Sequence, residues 1–359
     1  MADTRITMRD IAAHFGISVN TVHKAIAGKP GVGAKTRSEI LQYAEEVGYE
    51  RNESASMLRR KAPIVYVVLP SAEDDGRFFY AQLWSGFEEF AASHSSGDIE
   101  FRRCSFRPGC YADVLSEIYG KIEAGEHVSG LLAFTPETER DFLELKRLSE
   151  HAIPIELVMG ADRRIDHIGA AVSDYHAAGL LMAEQAANLM AGRAHGEAGL
   201  SAVLLSGDAT VEAHRLVADS FREELRRMLP EARIIEVPGG HSERDELPDR
   251  VRRALEGCVP SFASSVFATG SMVLAQELCA AGLAGKVPAI GSDVFPENVE
   301  ALRNHTFTNL LFKDPEGLAF RAAATLSAYL LYGKVDKRLI VGDAELVFRS
   351  NLEHYLKRR

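Results

Sequence analysis

Long apolar runs and a signal segment are missing from this sequence of 359 residues. No stretch reaches roughly 18 consecutive apolar residues, the length that a membrane-spanning helix needs. The N-terminal residues MADTRITMRDIAAHFG lack the basic segment and apolar core that a secretory signal requires. The sequence therefore predicts a cytoplasmic protein.

Cysteine is scarce, with four scattered residues: Cys104, Cys110, Cys258 and Cys279. They form no Cys-x-x-Cys pair, and no histidine cluster has metal-ligand spacing. This pattern argues against a disulfide framework and a zinc site. We expect buried free thiols, no metal and no cofactor.

Catalytic signatures are also missing. The sequence contains no GxSxG, no Walker loop and no His–carboxylate pair inside a nucleophile motif. We therefore predict no catalytic residues and a protein that is not an enzyme.

Basic residues are fewer than acidic residues, which gives a net charge of −10, but the charge is unevenly distributed along the chain. Residues 1–62 hold ten Lys or Arg against seven Asp or Glu, a net +3, which leaves −13 for the remaining residues. A small basic head on a large acidic body fits DNA binding by the head, because the relevant field is local.

The head has apolar residues at helical spacing around the break Gly16-Ile17-Ser18. We predict a helix, a tight turn and a second helix with the inward residues Ile11, Ala12, Phe15, Val22, Ala25 and Ile26. A third helix is predicted over Lys35–Val47, with a stripe of Ile40, Leu41, Ala44 and Val47 and a stop at Gly48. The first 50 residues therefore predict an all-α helix-turn-helix domain, and residues 51–62 a linker.

After Pro63 the pattern changes to apolar runs of strand length separated by amphipathic helical stretches, which indicates an α/β domain. The predicted helices include Leu83–Ala92, His176–Met190 and His214–Met228. The continuous runs are typical of buried parallel strands, and they cover residues 64–70, 129–136, 153–161, 201–207, 263–270 and 287–293. These are too many strands for one small sheet, so we expect two similar lobes.

The head contains a series of short motifs: Thr7 to Ala12, Gly16-Ile17-Ser18, Thr21-Val22, Gly28-Lys29-Pro30, Lys35-Thr36-Arg37 and Gly48-Tyr49 before Asn52. In these motifs the head resembles the LacI/GalR family almost position for position. The resemblance implies a DNA-binding transcription regulator with a recognition helix that starts after Ser18.

The residue types fit DNA contacts of two kinds. Ser18 caps the second helix, and its hydroxyl and those of Thr7, Thr21 and Thr36, together with Arg37, suit phosphate contacts. At the start of the recognition helix, Val19 suits a thymine methyl, Asn20 an adenine and Lys24 a guanine. Because serine is common in the family where Asn20 and His23 stand, and arginine where Lys24 stands, the operator sequence does not transfer from the family.

The linker resembles the family's hinge helix, since Asn52, Ala55 and Leu58 match its N-x-x-A-x-x-L pattern. The resemblance implies that two hinge helices enter the minor groove and that Leu58 inserts into a base step. An isolated hinge is too short to be helical, so we expect it to order on DNA with a partner hinge.

Residues 63–359 resemble the family's effector domain, a two-lobed fold of the periplasmic-binding-protein type (type I). We expect an N-lobe of about 63–165 and 297–332 and a C-lobe of about 166–296 and 333–359. Loops after predicted strands converge in such folds, and here they offer Phe79, Asp174, Arg215, Thr269 and Asp293 as effector-binding residues. Carboxylates and a guanidinium suit a sugar, a polyol or a sugar derivative, although Val217 and Thr269 depart from the family pattern.

We therefore predict a repressor that binds a pseudo-palindromic operator as a homodimer and responds to a small-molecule effector. The family includes induced and corepressed members, and the sequence leaves the direction open. The alternatives are a cytoplasmic small-molecule-binding protein and a sugar-processing enzyme with an accidental helix-turn-helix.

Overall fold

The computed structural model describes residues 6, 8–26, 31–47, 62–94, 97–191, 199–239, 245–257 and 259–357, with only the backbone for residues 8, 9, 20 and 23. The chain divides into two compact units, Met1–Lys61 and Ala62–Arg359. The division falls inside the segment that the sequence predicts as a linker.

The first unit contains three helices, α1 (Met8–Phe15), α2 (Val19–Ile26) and α3 (Ala34–Glu46). Gly16 has a φ of 62° in the turn between α1 and α2, a conformation that glycine adopts without strain. The buried core consists of Ile11, Ala12, Val22, Ala25, Ile40 and Ala44. The predicted apolar stripe of α3 is wrong at Leu41, which is 44% exposed. Gly48 and the predicted hinge residues 51–61 lie outside the described residues.

The second unit alternates strands and helices. Its strands are β1 (Ile64–Pro70), β2 (Glu100–Phe106), β3 (Gly130–Phe134), β4 (Ile155–Val158), β5 (Gly169–Ser173), β6 (Ser201–Gly207), β7 (Arg233–Pro238), β8 (Phe262–Ser265), β9 (Ala289–Ser292), β10 (Asn309–Phe312), β11 (Leu339–Gly342) and β12 (Glu345–Val347). Its helices are α4 (Gly76–Ser93), α5 (Tyr111–Glu123), α6 (Glu139–Ser149), α7 (Tyr175–Ala191), α8 (Glu212–Met228), α9 (Leu247–Gly257), α10 (Ala268–Ala280), α11 (Pro296–Arg303), α12 (Pro315–Tyr332) and α13 (Leu352–Leu356).

The strands form two six-stranded sheets, which confirms the two α/β lobes. The first sheet has the order β11-β5-β4-β3-β1-β2 and the second β12-β10-β9-β8-β6-β7. Every pairing in the first sheet is parallel, and in the second only β10 and β12 run antiparallel. Central strands such as β3 and β8 are buried along their whole length, as parallel strands covered on both faces require.

The predicted lobe boundaries are wrong in three places. β5 and β11 belong to the first sheet, whereas the sequence predicts the C-lobe for both strands. β10 and α11 belong to the second lobe, whereas the sequence predicts the N-lobe for them. The chain crosses between the lobes after β5, after β10 and between β11 and β12. Each crossing spans only a few residues, so no change of composition marks it.

Hydrogen bonds hold the three crossings side by side. The Ser173 hydroxyl, at the end of β5, donates to the carbonyl of Lys313 just after β10 (2.8 Å). The amide of Asp174 donates to the carbonyl of Gly342 at the end of β11 (3.1 Å). These bonds define a hinge at which the lobes meet.

The cysteines differ from the prediction. Cys104, Cys110 and Cys279 are free, but Cys104 is only half-buried and the other two are exposed, so the expectation of buried thiols is wrong for these three. Cys258 lies outside the described residues. Within the described part of the chain, no helix has both the length and the apolar character needed to cross a membrane.

Candidate functional site

The start of α2 carries the cap that the sequence predicts. The Ser18 hydroxyl oxygen accepts the backbone N–H of Thr21 at 3.1 Å and lies 2.8 Å from the Thr21 hydroxyl. The next residue, Val19, opens the helix with its side chain 43% exposed. The first turn of α2 thus presents a side chain to solvent from a fixed backbone, which a helix that enters a major groove requires.

The start of α3 is an uncapped helix end. Gly33 precedes it and supplies no side-chain acceptor, while Thr36 and Arg37 lie half-buried in the first turn. The free N–H groups of such a turn can bind a phosphate oxygen, and Arg37 adds positive charge there.

Other predicted DNA contacts cannot be placed in the same way. Thr7, Asn52, Ala55 and Leu58 lie outside the described residues, and for Asn20 only the backbone is described. Lys24 is described and half-buried. The DNA roles of all these residues stay predictions.

In the body, the two lobes touch at the carboxyl ends of their strands. The rings of Phe78 on α4 and Phe295 before α11 are 4.8 Å apart between centroids, and both side chains are buried. Next to them, Arg77 Nη1 lies 2.7 Å from Glu297 Oε1. Apolar and ionic contacts therefore join the lobes across the cleft.

A buried ion pair lies in the same region. Lys313 Nζ is 3.2 Å from Asp293 Oδ1, and the two side chains are only 7% and 3% exposed. The ammonium also donates to the Ser292 hydroxyl (2.9 Å) and to the Val266 carbonyl (3.3 Å). Burial raises the pKa of Asp293, and the neighbouring Lys313 charge opposes that shift.

The backbone around Asp293 is fixed by hydrogen bonds. Asp293 has a φ of 71°, a left-handed conformation that costs a non-glycine residue about 1–3 kcal/mol. The Asn298 amide donates to the carbonyls of Ser292 (2.7 Å) and Asp293 (2.8 Å), and the Asp293 N–H donates to Leu311 (2.8 Å). These bonds hold the carboxylate toward Lys313.

Of the five predicted effector-binding residues, two lie next to the ammonium group of Lys313. Lys313 Nζ lies 5.5 Å from the centre of the Phe79 ring, so Phe79 of the first lobe and Asp293 of the second contact the same ammonium. Asp174 has a local role, because its carboxylate accepts the N–H of Ala177 at 2.8 Å in the first turn of α7.

The other two predicted effector-binding residues are Arg215 and Thr269. Arg215 lies 3.5 Å from Asp219 and 4.0 Å from Glu212 on its own helix, with its side chain 47% exposed. Thr269 is half-buried in the first turn of α10. Effector binding by Arg215 and Thr269 stays a prediction.

His214 is a cleft residue that the sequence reasoning missed. Its Nδ1 accepts the N–H of Asp208 at 3.2 Å, and its ring lies 5.2 Å from Phe267. A Cβ on Gly207 would lie only 2.7 Å from the same nitrogen. The imidazole is thus packed against the loop that follows β6.

Acidic groups of the two lobes influence each other across the cleft. Loss of hydration, followed by the charges of Asp141 and Asp208, raises the pKa of Glu137. Glu137 follows β3 in the first lobe and Asp208 follows β6 in the second. The charges of Asp141 and Asp208 thus add to the cost of ionising Glu137.

Lys313 is the main cleft residue that sequence reasoning missed. The sequence does contain a clue to Lys313. This charged residue directly follows the apolar strand NLLF and precedes Asp314-Pro315, where α12 begins. A charge at the end of a buried strand in this fold faces the cleft side of the sheet.

Comparison with protein families assigns both units. Residues 7–52 match "Bacterial regulatory proteins, lacI family", and residues 146–334 match "Periplasmic binding protein domain". Over more than half of its length the chain therefore belongs to the family of the periplasmic binding protein domain, and its head is a lacI-family domain of bacterial regulatory proteins.

Curated relatives agree over part of their length. The HTH-type transcriptional regulator reg1 of Streptomyces lividans is 30% identical over 168 residues, 44% of each chain. Catabolite control protein A of Priestia megaterium is 32% identical over 90 residues, 25% of this chain and 26% of that protein. The matched regions thus span less than half the length of these relatives.

Solved structures share the fold of the body at low sequence identity. A LacI-type regulator from Bacteroides fragilis has a TM-score of 0.69 at 16% identity, covering 82% of this chain and 100% of that chain. GanP, a glucose-galactose binding protein from Geobacillus stearothermophilus, has a TM-score of 0.68 at 16% identity, covering 82% and 99%.

Proposed function

We propose that this chain is a sequence-specific, DNA-binding transcriptional repressor whose operator binding is controlled by a small-molecule effector. The observation that carries the proposal is the presence, in one chain, of a lacI-type head and of a two-lobed cleft with a buried ion pair between Asp293 and Lys313.

The head reads the operator through α2. Val19, Asn20 and Lys24 contact bases, while Ser18, Thr21, Thr36 and Arg37 contact phosphates, which position the head without reading sequence. Thr7 adds a further phosphate contact. The hinge adds Asn52, Ala55 and Leu58, with Leu58 inserting into a central base step.

The cleft binds a sugar, a polyol or a sugar derivative. A hydroxyl group can donate to the Asp293 carboxylate while it accepts from the Lys313 ammonium, and Phe79 offers an aromatic face next to that ammonium. The glucose-galactose binding protein GanP shares the fold, which supports this ligand class.

The working assembly is a homodimer in the cytoplasm, where two heads meet the two halves of a pseudo-palindromic operator. The effector changes how the two lobes close, and the lobes change how the hinges pair on DNA. It shifts operator binding only as far as its affinities for the two states differ.

Two steps test the proposal. Selection from random DNA with the full chain should recover a two-fold symmetric site, and its affinity should fall steeply with salt because several phosphates are contacted. A panel of sugars and polyols should then yield a compound that changes operator affinity without being consumed.

Three outcomes would contradict the proposal. They are selection of no symmetric site, a salt slope near zero, and turnover of the compound in place of simple binding. Arg349→Gln, which changes an exposed arginine of the body, is a matched control that should leave operator affinity unchanged.

A further inference from the structure

A second depression in the first lobe lies at the opposite end of the sheet from the cleft. It has a volume of about 440 Å³ and is lined by residues 163–169 and Arg338. These residues precede β5 and β11, so the depression lies at the amino ends of strands whose carboxyl ends face the cleft.

Its wall is a loop held against α6. Arg164 pairs with Asp162 at 2.6 Å, and its guanidinium lies 4.0 Å from the centre of the Phe142 ring. Ile165 is buried, 2% exposed, and its carbonyl lies 3.1 Å from His167 Nδ1. The loop is therefore fixed before any ligand arrives.

Two exposed arginines line the depression. Arg163 and Arg338 are exposed, and neither forms an ion pair with another residue of the described part of the chain. Asp166 also lines the depression and opposes them with one negative charge. With Arg164, three arginines and one aspartate line the depression, whereas the body as a whole has an excess of acidic residues.

Glu156, which lies behind the lining residue Gly169, does not neutralise the positive charge of Arg163 and Arg338. Glu156 on β4 is fully buried, and its carboxyl lies against Gly169, where a Cβ would be 2.6 Å from Oε2. Burial raises the pKa of Glu156 to about 9, so the group is neutral at pH 7.

We infer that this depression is a second ligand site, separate from the effector cleft, which binds a small phosphorylated compound through Arg163 and Arg338. Guanidinium groups bind phosphate oxygens in pairs with fixed geometry. His167, with its Nδ1 directed to the Ile165 carbonyl, can add a contact through Nε2. The site does not depend on DNA binding or on the cleft.

The test uses inorganic phosphate as the probe, with the full chain at constant ionic strength set by sodium chloride. Phosphate should raise the melting temperature of the wild type more than chloride does, and calorimetric titration should give a saturable isotherm. The double variant Arg163→Gln/Arg338→Gln should weaken phosphate binding at least tenfold. Arg349→Gln removes one exposed guanidinium elsewhere and should leave the binding unchanged.

Three results would overturn the site. They are a wild type that responds to phosphate no more than to chloride, a double variant that binds as the wild type does, and an equal loss in Arg349→Gln. Circular dichroism and the melting curve in chloride show whether the double variant is folded. Operator binding serves as an independent readout, because loss of phosphate binding with normal operator control leaves the proposed function intact.

Discussion

Lys313 and Asp293 form an ion pair inside the cleft, with 3.2 Å between Nζ and Oδ1 and less than a tenth of either side chain exposed. Lys313 belongs to a hinge crossing and Asp293 to the second lobe, while Phe79 of the first lobe contacts the same ammonium. The pair thus connects both lobes and the hinge.

Lys313→Met should lower the free energy of unfolding by about 3–5 kcal/mol, because it leaves a buried carboxylate without its cation. The double variant Lys313→Met/Asp293→Asn should recover much of that loss. Urea denaturation of the four proteins in a double-mutant cycle measures the coupling. Lys334→Met, at an exposed lysine, is the control and should change stability by less than about 0.5 kcal/mol. A loss in the double variant equal to the sum of the losses in Lys313→Met and Asp293→Asn would mean that the pair is not coupled.

Asp293→Ala should abolish the response to the effector while operator binding without effector stays close to that of the wild type. Truncating one partner of a buried, hydrogen-bonded charge pair costs about 2–5 kcal/mol, which is roughly 30-fold or more in affinity. Calorimetric titration of the effector into a folded variant measures this. Wild-type effector affinity in that variant would remove Asp293 from the site.

Phe295→Ala should loosen the contact between the lobes, since it removes the partner of the buried Phe78 ring. The loss should be about 3–5 kcal/mol in stability, together with a larger radius of gyration in X-ray scattering. Glu297→Gln is the matched comparison, because the Arg77–Glu297 pair is exposed and worth at most about 1 kcal/mol. An unchanged radius in a folded Phe295→Ala protein would show that the aromatic contact does not hold the lobes together.

Glu156→Gln should stabilise the protein, and the gain should grow with pH. The pKa of Glu156 is about 9 in the folded chain against an ordinary value of 4.5. Between these values only the unfolded chain releases the proton, so the stability of the wild type falls as pH rises from 4.5 to about 9. Each pH unit in this window contributes about 1.4 kcal/mol at most.

Urea midpoints at pH 5 and pH 8 test this dependence. The difference between Glu156→Gln and the wild type should be small at pH 5 and reach about 2–3 kcal/mol at pH 8, allowing for relaxation of the site. The exposed Glu123→Gln should show the same small difference at both values. A Glu156→Gln effect that is equal at pH 5 and pH 8 would mean that the carboxyl is not held neutral.

Ser18→Ala should destabilise α2 by about 1 kcal/mol, because the first turn loses its side-chain acceptor. Hydrogen exchange of the α2 amides in the full chain measures this loss, and the operator affinity should fall with it. Ser38→Ala, at an exposed position inside α3, should not destabilise its helix, since alanine favours a helix interior. Unchanged exchange at the start of α2 would contradict the capping role.

Much of the fold follows from local patterns. The run IVYVVLP predicts β1 over 64–70, the bounds that the structure has, and the position of Ser18 after Gly16-Ile17 predicts the cap. β2 was missed because it is an edge strand whose sequence EFRRCSF is mostly half-buried or exposed. An edge strand has no need of a continuous apolar run, so the sequence pattern is weak there.

The candidate site was less accessible to sequence reasoning. Phe79 and Asp293 were predicted, but Lys313, which joins them, was not, because an ion pair between positions 293 and 313 depends on how β9 and β10 pair. Arg215 was predicted to bind the effector because it follows a strand. However, its guanidinium lies close to Glu212 and Asp219, acids one turn away on α8. Contacts between distant segments decide such cases, and no local pattern encodes them.

The last strands of the body, β11 and β12, have a consequence for shortened chains. They lie within residues 339–347, yet each forms the edge of a different sheet, and one of the three hinge crossings runs between them. A stop codon at position 339 would thus remove one strand from each lobe and a third of the hinge at once. Neither lobe can be isolated by a single cut of the polypeptide, so premature termination in this region should damage both lobes together.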